Sequence, residues 1–237
     1  MLPIACEHDG VALQGEAAVP EGEGPFPTVL VMHSAYGLGD HVRQSATRLA
    51  ALGYAAIATD MYGAAFDHGN PEATGLAFAA LHETPDRLRA RTVTWFDAAA
   101  ALPFVDSSRI AAIGYCFGGL CVLELARSGA DVKAVVSYHG ILTTHRAAAP
   151  GTIKGEVVAY CGARDPYAPL ADIDALRAEL IAAGAHYQIT IFGDAAHSFT
   201  DPVAAATARL PGIEYNEIAD LMSWASTIAL LQAVLRG

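Results

Sequence analysis

The strongest constraint on this chain is a regular alternation of short β-rich runs with helical stretches, separated by loops that carry Gly or Pro. Thr28-Val-Leu-Val-Met-His33 follows a proline and precedes Gly37 and Gly39, the pattern of a buried strand leaving into a loop. A helix is expected over 40–52, with Asp40 as N-cap, Val42, Ala46, Leu49 and Ala50 at helical spacing, and Gly53 as terminator. The unit then recurs. Strand 54–59 leads to helices near 71–81 and 85–102, the second with Thr84 and Pro85 as N-cap and first residue. Strand 109–115, helix 117–128, strands 134–138 and 157–161, helix 170–183, strand 187–192 and a last amphipathic helix over 215–235 follow. Residues 11–19 suggest an edge strand or hairpin. Such alternation implies an α/β protein with a mostly parallel sheet covered by helices on both faces. Functional groups are then expected at the carboxyl ends of the strands.

With 237 residues, 53% of them apolar, the chain has material for one sizeable core, and no linker or repeat divides it, so one domain over 1–237 is expected. A net charge of -11 with scattered Lys and Arg speaks against a nucleic-acid partner. Apolar runs such as 98–102 and 111–113 fall short of the roughly 20 residues that span a bilayer. The first ten residues lack the basic start and long apolar stretch of a signal peptide. We therefore expect a cytoplasmic protein, monomer or homodimer, with no membrane partner. Four cysteines at irregular spacing, without C-x-x-C, favour reduced thiols over a disulfide framework or zinc site.

Gly114-Tyr115-Cys116-Phe117-Gly118-Gly119 lies between an expected strand and an expected helix. It matches the G-x-nucleophile-x-G elbow of α/β-hydrolases with Cys in place of Ser. Glycines flank the turn because a side chain there would clash, and the helix start favours a thiolate. The alternative is a buried cysteine in an ordinary Gly-rich turn. Cys6, Cys121 and Cys161 read as structural or incidental.

Gly162-Ala-Arg-Asp165-Pro166 puts a carboxylate after strand 157–161, where this fold holds its triad acid; Asp-Pro is equally a common turn starter. Asp194 is the nearest rival, and Asp60 precedes the nucleophile and breaks the order. Among nine histidines, His33, His139 and His197 end strands or follow them. His197 is selected by order, since nucleophile, acid and base then appear as Cys116, Asp165 and His197.

These residues resemble the dienelactone hydrolases, a cysteine-using branch of the α/β-hydrolases. The resemblance rests on 114–119, 162–166 and His197-Ser198-Phe199, with similar stretches at Tyr36-Gly37-Leu38, 59–63 and 137–140, and so covers the chain from about residue 25 onward. It implies an α/β-hydrolase fold and a hydrolase of small esters or lactones working through a thioester, and no long insertion suggests a separate lid domain. His197 would act as base, Asp165 would orient it, and the backbone N–H groups of Ala35 and Phe117 would hold the oxyanion. Neither a metal nor an organic cofactor is expected; no H-E-x-x-H, P-loop or dinucleotide fingerprint occurs.

Two family features are replaced here. The glutamate after the first core strand becomes Ser34, and an arginine that holds a substrate carboxylate soon after the histidine gives way to Thr200-Asp201-Pro202. Arg87, Arg89 and Arg91 read as a solvated helix face. A neutral ester or lactone then fits better than a dienelactone. Tyr36, Tyr62, Phe66, Phe117, Tyr167 and Phe199 are expected in or beside the catalytic loops, about half of them facing substrate in a pocket that is shallow or closed by loops. The same cysteine offers cleavage of activated phosphate triesters. From other classes, a redox thiol resolved by Cys121 and a non-catalytic ligand-binding relative remain alternatives.

Overall fold

The computed structural model describes residues 1–68, 70–207 and 210–236. Its first strands, β1 (Leu2–His8) and β2 (Val11–Ala18), form a hairpin, and β3 (Phe26–Met32) starts the core. There follow α1 (Asp40–Ala51), β4 (Ala55–Thr59), α2 (Pro71–His82), α3 (Pro85–Ala100), β5 (Val105–Tyr115), α4 (Phe117–Ser128), β6 (Ala134–Tyr138), β7 (Glu156–Gly162), α5 (Leu170–Ala183), β8 (Tyr187–Phe192), α6 (Pro202–Thr207) and α7 (Glu217–Arg236). The eight strands make one sheet in the order β1-β2-β4-β3-β5-β6-β7-β8, parallel from β4 to β8 and antiparallel at β1 and β2. This is the α/β-hydrolase fold, with helices on both faces and two apolar clusters, one against each side of the sheet.

The topology creates the site. β3 pairs with β4 on one side and with β5 on the other, so the loops leaving β3 and β5 part from each other at the sheet's carboxyl edge. In open α/β sheets such a switch point leaves a crevice. Ser34, Ala35 and Tyr36 follow β3 there, and Cys116 follows β5.

Several local expectations shift. The stretch expected over 11–19 forms β2, Val11–Ala18, the inner strand of the hairpin, with β1 at the edge. Gly39, not Asp40, occupies the N-cap of α1, and Asp40 lies in its first turn. Thr84 holds the N-cap position of α3, but its hydroxyl donates to Ala80 O and not to the helix start. The short α6 was not foreseen, since six residues carry too little periodicity to be read.

α7 is longer in apolar content than expected. It is 20 residues long, and an 18-residue window in it has a mean hydropathy of 1.5, enough by length and composition for a membrane crossing. In the fold Ala219, Ser223, Thr227, Leu231 and Leu235 are buried, while Ile218, Leu221 and Met222 stay exposed. The helix is thus less amphipathic than its spacing implies, because small polar residues take positions on the packed stripe.

The arginines of α3 overturn the solvated-face reading. Arg87 is exposed beside Asp9, but Arg89 and Arg91 are buried. Arg91 donates to Met61 O at 2.7 Å. Arg89 donates to Glu124 of α4 at 2.7 Å, and Glu124 also accepts from Arg127, which grips Glu179 of α5 through two bonds of 2.9 and 2.8 Å. Glu124 lies 35 residues beyond Arg89, so no local pattern reveals the partner. Removing one member leaves buried charge uncompensated. Arg127→Leu is expected to lose about 3 kcal/mol of stability and to lower Tm by roughly 6–12 °C, read by calorimetry.

Candidate functional site

Cys116 caps the start of α4 with φ 53° and ψ -111°, a conformation that L-residues rarely adopt. The glycines around it explain how the chain tolerates so sharp a turn. A Cβ on Gly114 would lie 2.0 Å from Gly118 O, and one on Gly118 would lie 2.2 Å from Met32 O. Strand β5, the elbow and β3 are therefore in backbone contact, and only hydrogen fits between them.

His197 follows β8, and its Nδ1–H donates to Asp165 Oδ2 at 2.8 Å, both groups being buried. Asp165 Oδ1 accepts from Tyr167 N at 2.8 Å and Ala168 N at 3.3 Å, which fixes the carboxylate after β7. The rivals are placed elsewhere. Asp194 is exposed. Asp60 is buried and accepts from the N–H groups of Gln14, Tyr62 and Gly63, so it holds the turn after β4. His33 is buried with Nε2 accepting from Met61 N and Nδ1 donating to Ser34 O; burial pulls it down to about 4, which keeps it neutral. His139 lies behind His197, its ring edge-on at 5.3 Å and its Nε2 bonded to Thr200 Oγ1.

Charge couples the thiol and the imidazole. Burial alone raises Cys116, but the His197 charge and hydrogen bond, with the N–H groups of Ala35 and Phe117 directed at the sulfur, outweigh it and bring the thiol below its ordinary value. For His197 burial works downward, while the Cys116 thiolate and the Asp165 hydrogen bond push it up to about 10. Each group therefore favours the charged form of the other. In a His197→Gln variant burial is left opposed only by the two N–H groups. The pH midpoint for alkylation of Cys116 by iodoacetamide is then expected to rise above that of wild type, and an unmoved midpoint would contradict this coupling.

Cys6 and Cys161 behave differently: burial pushes their thiols up to about 11 and about 12. Cys121 is fully buried on the α3 side of α4, where burial also raises its thiol and Thr92 is its hydrogen-bond partner. Such a group is poorly suited to resolving an oxidised Cys116. Among the described residues no His, Cys, Asp and Glu cluster is arranged to hold a metal ion.

A cavity of about 270 Å³ opens over Cys116 and His197, with Ala35, Tyr36, Tyr167, Phe78 and Ile141 among its walls. Of the expected aromatic residues, Tyr36 and Tyr167 line it. Tyr62 is buried, donates to Ala35 O at 2.9 Å and packs on His33 and Phe117, bracing the loop after β3. Phe66 packs against Tyr62, and Phe199 is fully buried against His139 and Phe192. These are supports, because an aromatic ring beside a loop gains more by filling the apolar layer beneath it than by facing water. One wall was missed. Pro71, Thr74, Gly75 and Phe78 of α2 close the cavity from above, so a helix and not loops alone bounds it. Only the weak polarity of that segment hinted at it.

A family model described as the dienelactone hydrolase family matches residues 13–235. The solved structure of a protein called m3DLH is 37% identical, covers 98% of this chain and 97% of its own, and superposes with a TM-score of 0.92. A dienelactone hydrolase-like promiscuous phosphotriesterase, P91, from metagenomic libraries, is 36% identical with 98% and 97% covered and a TM-score of 0.90. A Methylorubrum extorquens protein provisionally named carboxymethylenebutenolidase is 29% identical over 81% of this chain and 69% of its own length.

Proposed function

Because the chain belongs to the dienelactone hydrolase family and is a hydrolase, we propose that Cys116, His197 and Asp165 open small carboxylic esters or lactones through a thioester on Cys116. The observation that carries this reading is the His197 imidazole, bonded to Asp165 at 2.8 Å and paired with the Cys116 sulfur.

The thiolate adds to the carbonyl carbon and the carbonyl oxygen takes up negative charge. The N–H groups of Ala35 and Phe117, which point at the sulfur in the free enzyme, are placed to receive that oxygen. Collapse breaks the carbon–oxygen bond as His197 passes its proton to the departing alkoxide. His197, now neutral, takes a proton from water, the hydroxide attacks the thioester, and the thiolate leaves. Asp165 holds Nδ1–H throughout, so Nε2 faces the chemistry.

The pH dependence follows from the two shifts. Activity requires thiolate, so kcat/KM is lost as pH falls through the depressed Cys116 value, and it is lost again as His197 deprotonates at about 10. A bell-shaped profile on a neutral ester is expected, its acid limb set by the lowered Cys116 thiol and its alkaline limb at about 10.

The likeness to the phosphotriesterase P91 supports a second activity. The same thiolate would displace an activated leaving group from phosphorus, with the same N–H donors on the phosphoryl oxygen. The experiment is incubation of wild type, Cys116→Ala, His197→Ala and Asp165→Asn with an activated ester and an activated phosphate triester. An acyl adduct on Cys116 by intact mass, and loss of both turnovers in Cys116→Ala, support the reading. Full ester turnover in Cys116→Ala would end it.

A further inference from the structure

Tyr36 has a cavity on each side. One is the apolar space over Cys116. The other, about 350 Å³, lies between the segment joining β3 to α1 and the short α6, and Ser34, His41, Gln44, Asp201 and Thr207 share its walls with Tyr36. Tyr36 is 45% exposed and is the residue that the linings of the two spaces share. Burial raises its phenol, and the charges of Cys116, Tyr167 and Asp201 raise it further, which places the hydroxyl within electrostatic reach of the thiolate and of Asp201.

The two spaces differ in chemistry. The catalytic cavity presents Pro71, Phe78, Ile141, Leu210 and Ile213. The second is the more polar of the two, with the Ser34 hydroxyl, the Gln44 amide and the carboxylates of Asp40 and Asp201 beside apolar Val42, Pro202, Val203 and Ala204, and neither Lys nor Arg among its lining residues. Asp201 Oδ1 already accepts from Val203 N and Ala204 N, and Ser34 Oγ from Tyr36 N, which leaves Asp201 Oδ2, Asp40 and Gln44 as its polar groups. His41 gives its Nε2 hydrogen to Thr200 O, so that donor is already engaged. A short carbon frame that carries its own O–H or N–H hydrogens matches such mixed walls better than it matches the apolar catalytic cavity.

We propose that Tyr36 partitions a two-compartment ester site, in which the apolar cavity holds the acyl group and the more polar cavity holds the alcohol, a short polyol or amino alcohol. The proposal rests on Cys116 as nucleophile. It also fits the order of events: the acyl group stays on sulfur in the drier space, while the alcohol departs through the wetter one. No bond changes beyond those of the thioester route.

Glyceryl monobutyrate and hexyl butyrate share an acyl group and differ in the alcohol, so the ratio of their kcat/KM values reads the second compartment. Wild type is expected to prefer the glyceryl ester by about tenfold or more. Gln44→Trp and Thr207→Trp, on opposite walls, fill the space and are expected to bring the ratio close to one. Tyr36→Ala joins the compartments and raises methyl octanoate relative to methyl butyrate by about tenfold, whereas Tyr36→Phe keeps the ring and moves that ratio less than twofold. Each variant is checked for native circular dichroism. A butyryl adduct on Cys116 together with no glyceryl preference, or a preference unmoved in both tryptophan variants, overturns the partition. Absence of any adduct with turnover retained in Cys116→Ala overturns the catalytic reading instead.

Discussion

Replacing Cys116 with alanine is expected to lower kcat/KM on an activated ester by about four orders of magnitude or more, equivalent to roughly 5 kcal/mol of transition-state stabilisation. In the proposed route the sulfur is the atom that bonds to the acyl carbon, so no neighbouring group would replace it. What survives is the pair of N–H donors from Ala35 and Phe117, which still polarise a carbonyl for attack by water. Stability should respond in the opposite sense. Cys116 sits at φ 53°, and alanine inherits the same strained backbone, but glycine does not. Cys116→Gly is expected to be as inactive as Cys116→Ala yet more stable than it by about 1 kcal/mol, measured by urea unfolding. Equal stability of the two variants would mean that the elbow stores no strain.

The second large effect belongs to Gly118, which carries no reacting atom. A methyl group there would lie 2.2 Å from Met32 O, 2.6 Å from its carbon and 2.8 Å from His33 O, all of them backbone atoms of the central strand or its end. None of these rotates out of the way as a flexible side chain would. Gly118→Ala is therefore expected to lose more than about 4 kcal/mol and to lower Tm by at least roughly 8 °C, or to fail to fold. Relief of the clash would have to separate β3 from the elbow. That moves Ala35 away from Cys116, so any folded fraction is expected to show a raised Cys116 pKa and slow alkylation. A stable, fully active Gly118→Ala would contradict the packing described for this turn.

Much of the site was legible because the fold writes it locally. The elbow combines steric demand and chemistry in six consecutive residues, 114–119, and its glycines are needed whatever surrounds them. His197 and Asp165 were legible by order, each after its own strand. The competing carboxylates could not be dismissed that way: Asp60 was set aside only by chain order, and the structure shows its actual work, capping a turn with three N–H groups. The aromatic residues were read less well. Proximity in sequence to a loop does not say which way a ring points, and Tyr62, Phe66 and Phe199 turned inward to brace what Tyr36 and Tyr167 line.

The sequence by itself determined the strand and helix alternation, the elbow and the order in which Cys116, Asp165 and His197 follow their strands, because hydrophobic period, glycine sterics and chain direction act within a few residues. The tertiary structure alone decided that Arg89 and Arg91 are buried, that α2 closes the cavity and that Tyr36 stands between two chemically different spaces. Each of these depends on partners 30 or more residues away in the chain, Arg89 with Glu124 and Arg91 with Met61 among them. Such pairings arise when elements distant in sequence dock, and they leave no trace in the periodicity of either segment.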